Sequence, residues 1–184
     1  MDSDSLRGQL LIAGPALIDP NFSRAVVLVT EHNDEGAMGL VLNRPSTSTV
    51  DEALPDLELD VAEPEDVVYV GGPVQPAAAM ILAEFDEPGD AATIVLEDVG
   101  FVSVEPDLPG VSVATRRARV FAGYAGWGPG QLEAEIERDD WILEEAAVED
   151  VLGDSSEELW SEVLWRKGGE YALLSRMPLD PSLN

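Results

Sequence analysis

The stretch "FAGYAGWGPGQLEAEIE", Phe121 to Glu137, carries the residue types of a phosphate cradle. A glycine-rich turn lets backbone N–H groups approach an anion, and a helix N-terminus behind the turn adds its dipole. The spacing argues against that use. A P-loop needs Gly-Lys-Ser/Thr, and a dinucleotide loop needs Gly-x-Gly-x-x-Gly. Here Gly126, Gly128 and Gly130 alternate, and Gln131 and Leu132 stand where Lys and Ser/Thr belong. Glu133, in the first helical turn, already answers the helix dipole. The favoured reading is a tight strand-to-helix corner. Its glycines permit positive φ or close packing, Pro129 starts the helix, and Trp127 covers the corner.

His32 is the chain's only histidine and lies in "TEHNDE" beside Glu31, Asn33, Asp34 and Glu35. It has the chemistry of a metal ligand or of a base oriented by a carboxylate. A metal there would need carboxylates for its remaining ligands. A Ser-His-Asp arrangement would need a distant serine, and no Gly-x-Ser-x-Gly elbow nominates one. A hairpin-end histidine bonded to nearby backbone or Asn is the favoured reading. "LNRP" places Asn43 and Arg44 at a strand end. Arg44 has the geometry to clamp a carboxylate or phosphate bidentately; in so acidic a chain an internal ion pair is favoured. In "DPNFSR", Ser23 and Arg24 are candidates to line a pocket with Arg44, against the plainer reading of an Asx-turn and strand entry. Asp139–Asp140 and Glu144–Glu145 are carboxylate pairs without EF-hand spacing. "TRRAR", Thr115 to Arg119, is the one basic cluster and is expected to balance local acids. The stripes Trp160/Leu164 and Trp141/Leu143 are expected in the core, with a protein partner as the alternative. The candidate binding surface is therefore His32, Asn33, Asn43, Arg44, Gly126, Trp127 and Gly128. No residue is nominated as catalytic, and no cofactor or metal is expected.

The elements that must position these residues follow from pattern. The chain has 184 residues, 45% apolar, enough for one well-buried core, and the expectation is one domain over residues 1–184 with a tail from about 178. There are 37 acids against 10 bases, a net charge of −27, and nine of the ten bases are arginine. Such a charge repels a phosphate backbone and anionic membrane surfaces, so direct nucleic-acid binding is not expected. It points either to a basic partner or to an acid-rich proteome, the latter favoured. No apolar run is long enough for a membrane helix, and "QLLIAGPALI" lacks the flanks of a secretory signal. The expected compartment is the cytoplasm. Cysteine is absent, which excludes disulfides and thiol chemistry.

Gln9–Ala13 and Arg24–Glu31 read as strands. "HNDEG" and "AMGLVLNR" continue the second into a hairpin with a five-residue loop, and Pro45 is expected to stop pairing. "STSTVDEALPDL" reads as a short helix with a Ser or Thr cap. "VVYV", "ATIVLED", "RVFAGYAG" and "WILEE" read as strands. "AAAMILAEF" reads as a strand with a helix left open. Gln131–Arg138 and "DSSEELWSEVLWRKGG" read as helices, the second capped by Asp154 or Ser155 and striped with Leu159, Trp160, Val163 and Leu164. "EYALLSRM" reads as a last strand. "VEPDLPGVSVATRRA" is irregular, and "LELDVAEPED" is an acidic loop. Hairpin-spaced strands argue against a βαβ repeat and for an α+β class.

Three segments carry a family likeness: "GQLLIAGPALIDPNFSRAVVLVTEHNDEGAMGLVLNRP", "VYVGGPV" and "RVFAGYAGWGPGQLEAEI". In that order they resemble the AlgH/YqgE family of bacterial proteins over most of the chain. The resemblance implies an α+β domain whose bent, mostly antiparallel or mixed sheet has partly barrel-like closure and flanking helices. It implies no established reaction, and a regulatory role has been proposed for some members. Any role resting on a thiol does not transfer to a chain without cysteine. The functional expectation is a regulatory or binding protein with an unidentified protein or small-molecule partner. The alternative is an enzyme with a site near the His32, Arg44 and Trp127 segments.

Overall fold

The computed structural model describes residues 5–55, 66–103, 115–154 and 156–178. Most of "VEPDLPGVSVATRRA", most of "LELDVAEPED" and the tail from residue 179 lie outside these. The strands are β1 Gln9–Ala13, β2 Val26–Asn33, β3 Gly36–Val41, β4 Pro45–Thr49, β5 Val67–Val70, β6 Val74–Phe85, β7 Thr93–Leu96, β8 Val99–Phe101, β9 Thr115–Trp127 and β10 Trp141–Glu145. The helices are α1 Val50–Ala53, α2 Gln131–Glu137, α3 Val148–Leu152, α4 Leu159–Lys167 and α5 Glu170–Leu174. The main path of the sheet runs β10-β1-β2-β3-β9-β6-β8-β7, with β4 and β5 branching off it. All pairings but β5 with β9 are antiparallel. The path has two ends, so the sheet is not closed, and the partly barrel-like closure implied by the resemblance is not found among the described residues.

Strands β1 to β3 are buried on both faces, which is why they read as unbroken apolar runs. On one face Leu10, Ile12, Val26, Leu28 and Leu40 meet Leu159, Trp160, Val163 and Leu164 of α4. On the other, Leu11, Val27, Val29 and Val41 meet Trp127, Leu132 and Trp141 under α2. Each fully buried Leu or Val contributes about 1.5–3 kcal/mol relative to exposure, so these two layers hold the sheet between its helices. The expected cap of α1 is Thr49. Its Oγ1 accepts the Glu52 N–H at 3.3 Å, and the Glu52 carboxylate accepts the Thr49 N–H at 3.1 Å.

Strand β9 does most of the joining. It pairs with β6 along one edge, while its other edge is shared by β5, at Phe121 and Ala122, and β3, from Ala125 to Trp127. The handover occurs at glycines. Gly71 donates its N–H to Ala122 O and accepts the Val41 N–H, both at 2.8 Å, so the chain threads between two strands. A Cβ on Gly71 would lie 2.3 Å from Gly123 O, and one on Gly123 would lie 2.5 Å from Gly72 O. Gly123 also has φ of 73°, where side chains are strained.

Several expectations are corrected. "EYALLSRM" is not a strand. Gly168 and Gly169, with φ of 78° and 59°, turn the chain sharply after α4, and α5 then packs Tyr171 and Leu174 inward at helical spacing. Pro45 does not end pairing but opens β4, an edge strand whose first residue faces Tyr69 and whose free side needs no donor. The hairpin loop is Asp34–Glu35 alone, because the ladder continues through His32 with Ala37 and Asn33 with Gly36. Helix α4 starts at Leu159 after a 3-10 turn, with Glu158 before it and no side-chain cap; Ser155 lies outside the described residues. Helix α3, too short for periodicity, was missed. Its Asp150 accepts the Ala147 N–H at 2.7 Å and takes Arg166 bidentately at 2.9 Å and 2.9 Å. Among the described residues, no helix is long and apolar enough to cross a membrane.

The glycine crossing makes a contrast testable. Gly123→Ala is expected to lower stability by about 2 kcal/mol or more through strain and overlap with backbone. Gly126→Ala, whose added Cβ meets nothing nearer than 3.6 Å, is expected to change it little. Urea midpoints of the two variants check this; equal midpoints would contradict the crossing.

Candidate functional site

At the end of β9 the chain turns through Gly128–Gly130 into α2, with Gly130 at φ of 73°. The Gly128 and Gln131 N–H groups, which a phosphate would use, are committed within the turn. The Gly128 N–H donates to Gln131 Oε1 at 3.0 Å, and Gln131 Nε2 donates to Glu135 Oε1 at 3.1 Å. Glu135 Oε2 accepts two indole N–H groups, from Trp127 at 2.8 Å and from Trp141 at 2.9 Å. The two rings meet edge to face at 6.1 Å, and Phe22 packs against both. Trp127 is buried. The corner is a strut that ties β9, α2 and β10 together, as the glycine spacing suggested.

His32 is tied into the same region. Its Nδ1 accepts the Leu6 N–H at 3.0 Å, and its Nε2 lies 2.6 Å from Glu133 Oε1. An acceptor at Nδ1 leaves the ring proton on Nε2, which donates to the carboxylate. Both ring nitrogens are thus spent, one on the N-terminal segment and one on α2. Glu133 is held below the usual carboxyl range, first by the His32 hydrogen bond and then by one to its own backbone. Neighbouring Asn33 accepts the Glu35 N–H at 2.8 Å in an Asx-turn.

Asn43 is also internal. Its Nδ2 donates to Arg24 O at 2.8 Å and its Oδ1 accepts the Val26 N–H at 3.0 Å, so the side chain stands in for a strand at the entry to β2. That grip holds Arg24 at φ of 56°, unusual for a side-chain-bearing residue. Among the described residues the Arg44 side chain makes one hydrogen bond, to Ser23 O at 2.5 Å. The ion pair expected for it is not present among the described residues. Gly126 and Gly128 are exposed.

Arg44 opens instead onto a cavity of about 700 Å³ beside α4, shared with Arg24, Asn43, Trp160, Trp165 and Arg176. A second cavity of about 540 Å³ adjoins it, and Asn43, Arg44 and Glu157 line both. Arg24 lies over the Trp160 ring at 4.4 Å and donates to the Met177 and Pro178 carbonyls at 2.5 Å and 2.7 Å. Arg176 lies over Trp165 at 5.3 Å. Trp165 is 58% exposed, in contrast to the other three tryptophans. Neither cavity is lined by His32, Trp127 or Gly128, so the candidates drawn from sequence divide into an internal corner and an open groove.

The AlgH-like family profile (DUF179) matches residues 10–172. This chain belongs to the AlgH-like family. A UPF0301 protein of Streptomyces coelicolor is 44% identical over 186 residues, covering 98% of this chain and 96% of the relative. A UPF0301 protein of Mycobacteroides abscessus is 41% identical and covers 96% of this chain and 87% of its own. The AlgH protein of Pseudomonas aeruginosa, solved in solution, is 31% identical with a TM-score of 0.71, covering 98% of each chain. A crystal structure of a Corynebacterium diphtheriae protein is 28% identical with a TM-score of 0.81, covering 96% of this chain and all of that one. None of these names carries a catalytic activity.

The AlgH-like segments quoted from sequence have physical roles here: "VGGP" and "FAGYAG" form the glycine crossing, and "GWGPGQLEAEI" forms the indole–carboxylate corner. Sequence reasoning missed Trp165 and Arg176 as site residues. Trp165 is an apolar residue off the Leu159/Trp160/Val163/Leu164 stripe, and that displacement was a usable signal. Arg176 sits in the segment misread as a strand. "TRRAR" does balance local acids: Arg116 pairs with Glu84, Asp86 and Asp98, and Arg117 with Glu84 and Glu149. Arg119 instead donates to the Val151 and Gly153 carbonyls and lies over Tyr69.

Two outcomes follow for the corner. Glu135→Ala strands two indole N–H groups and is expected to cost about 2 kcal/mol or more, while Glu135→Gln keeps an acceptor and costs less; thermal or urea unfolding of both variants checks the ranking. Glu133, with its depressed value, contributes stability that is fully present above the ordinary glutamate value of about 4.3 and is lost as pH falls through the folded-state value. The urea midpoint of the wild type should therefore fall more steeply below that pH than that of His32→Ala, and parallel curves would contradict the pairing.

Proposed function

We propose that this AlgH-like protein works by binding a partner or ligand in a regulatory setting in the cytoplasm, as one domain, and not by catalysis. The reading is carried by one observation: of the side chains nominated from sequence, His32, Asn43 and Trp127 are spent on internal bonds, while Arg44 faces an open groove. The catalytic alternative required His32, Asn43, Arg44 and Trp127 around one cleft, and it loses that support. A net charge of −27 disfavours direct contact with DNA, so control of transcription, if it is the outcome, runs through a protein or small molecule.

The groove beside α4 has the dimensions and the mixed apolar and polar lining of a ligand site. A panel of small fragments titrated into isotope-labelled protein tests the assignment. Binders are expected to move the signals of Arg44, Trp165 and Arg176 in a saturable way. Binders that cluster instead around His32 and Gly128 would contradict it.

A further inference from the structure

We infer that the groove beside α4 recognises a small monocarboxylate with an apolar or aromatic body, its carboxylate held by Arg44 and its body lying against Trp165. This deepens the binding reading above and rests on it.

The first support is the state of the arginines. With 37 acids in the chain, a carboxylate is an available internal partner for a guanidinium. Arg116, Arg117, Arg138 and Arg166 do form ion pairs. Among the described residues five arginines form none, Arg7, Arg24, Arg44, Arg119 and Arg176, and three of these, Arg24, Arg44 and Arg176, line the one groove. Arg44 spends a single N–H on Ser23 O, which fixes the side chain and leaves most of its fork available for a bidentate acceptor. It is pre-positioned, so little side-chain freedom is lost on binding.

The second support is the wall. Arg24 stacked on Trp160 and Arg176 stacked on Trp165 make two cation–indole layers beside Arg44. Trp165 leaves a large aromatic surface in water, and covering it is favourable in proportion to the apolar area removed. A carboxylate with no apolar body would leave that surface wet.

The third support sets the charge. Glu157, Glu158 and Glu162 line the same cavity. With them and the net charge nearby, one negative charge is neutralised by Arg44, and a second is repelled. The same balance disfavours phosphate dianions, polycarboxylates and nucleic acid. The volume, about 700 Å³, lies within the range of small-molecule sites.

The test is a titration of isotope-labelled full-length protein with 3-phenylpropionate, 3-phenylpropanamide and phenyl phosphate, read at the Trp165 indole N–H. The carboxylate is expected to give a saturable shift, with the neutral amide weaker by about tenfold or more and the phosphate also weaker. Arg44→Ala is expected to weaken the carboxylate by about tenfold or more, while Arg7→Ala leaves it unchanged. Unmoved indole signals of Trp127 and Trp141 confirm that the Arg44 variant is folded. Trp165→Ala, at an exposed position, is a second variant expected to lose binding, followed at groove amides. Equal affinity for the acid and the amide would overturn the inference while leaving the groove as a binding surface. The absence of any saturable shift in the groove, with these probes and with the fragment panel, would overturn both.

Discussion

Backbone can cross backbone at Gly71, Gly72 and Gly123 only because there is no side chain at the crossing. There the chain leaving β5 passes between β3 and β9, bonded to each, at a separation that would bury a Cβ inside a carbonyl oxygen. The rest of the architecture hangs on this contact. It lets β9 change partners from β5 to β3 without breaking, so the sheet can bend and carry two apolar layers. It also places the end of β9 where Trp127 must pack against Trp141. On the opposite side it delivers Val70 beside Arg44, whose carbonyl accepts the Val70 N–H at 2.8 Å. Corner and groove are two consequences of one crossing.

Much of this was legible in the residues. The apolar runs of β1 and β2 marked strands, a Ser or Thr cap before Val50 marked α1, and the stripe from Leu159 to Leu164 marked the inner face of α4. The alternating glycines before α2 correctly signalled a corner in place of a phosphate loop. What failed was local pattern without tertiary context. "EYALLSRM" has the apolar content of a strand, and only the double-glycine turn and the packing of Tyr171 and Leu174 make it a helix. Pro45 is a strand breaker in the middle of a sheet and a tolerated opener at an edge, and sequence does not say which edge is free. For the candidate site, residue type misled. His32, Asn43 and Trp127 look functional because they are versatile hydrogen-bonding residues, and that versatility is used to tie distant backbone together. Arg44 was nominated as an anion clamp or an internal ion-pair partner; it faces the groove and makes no ion pair among the described residues.

The charge distribution connects fold to function. Carboxylates dominate the chain, and several of its few bases are spent on holding elements together: Arg166 on Asp150, Lys167 on Glu144 and the Leu143 carbonyl, Arg117 on Glu84 and Glu149. Against that background, the groove sets three arginines without ion pairs among the described residues beside an exposed indole, with Glu157, Glu158 and Glu162 on the same wall. Family membership fixes the architecture and leaves the chemistry open, so the physical reading of this groove carries the functional argument.

The central claim is that the tryptophan of the glycine corner is an internal strut and that the exposed tryptophan belongs to the groove. Hydrogen exchange of the four indole N–H groups, followed by NMR, tests it most directly. The account predicts slow exchange for Trp127 and Trp141, both bonded to Glu135, and for Trp160, bonded to the Ala13 carbonyl at 3.0 Å, with Trp165 exchanging at the rate of a free indole. A Trp127 indole that exchanges as fast as that of Trp165 would contradict it.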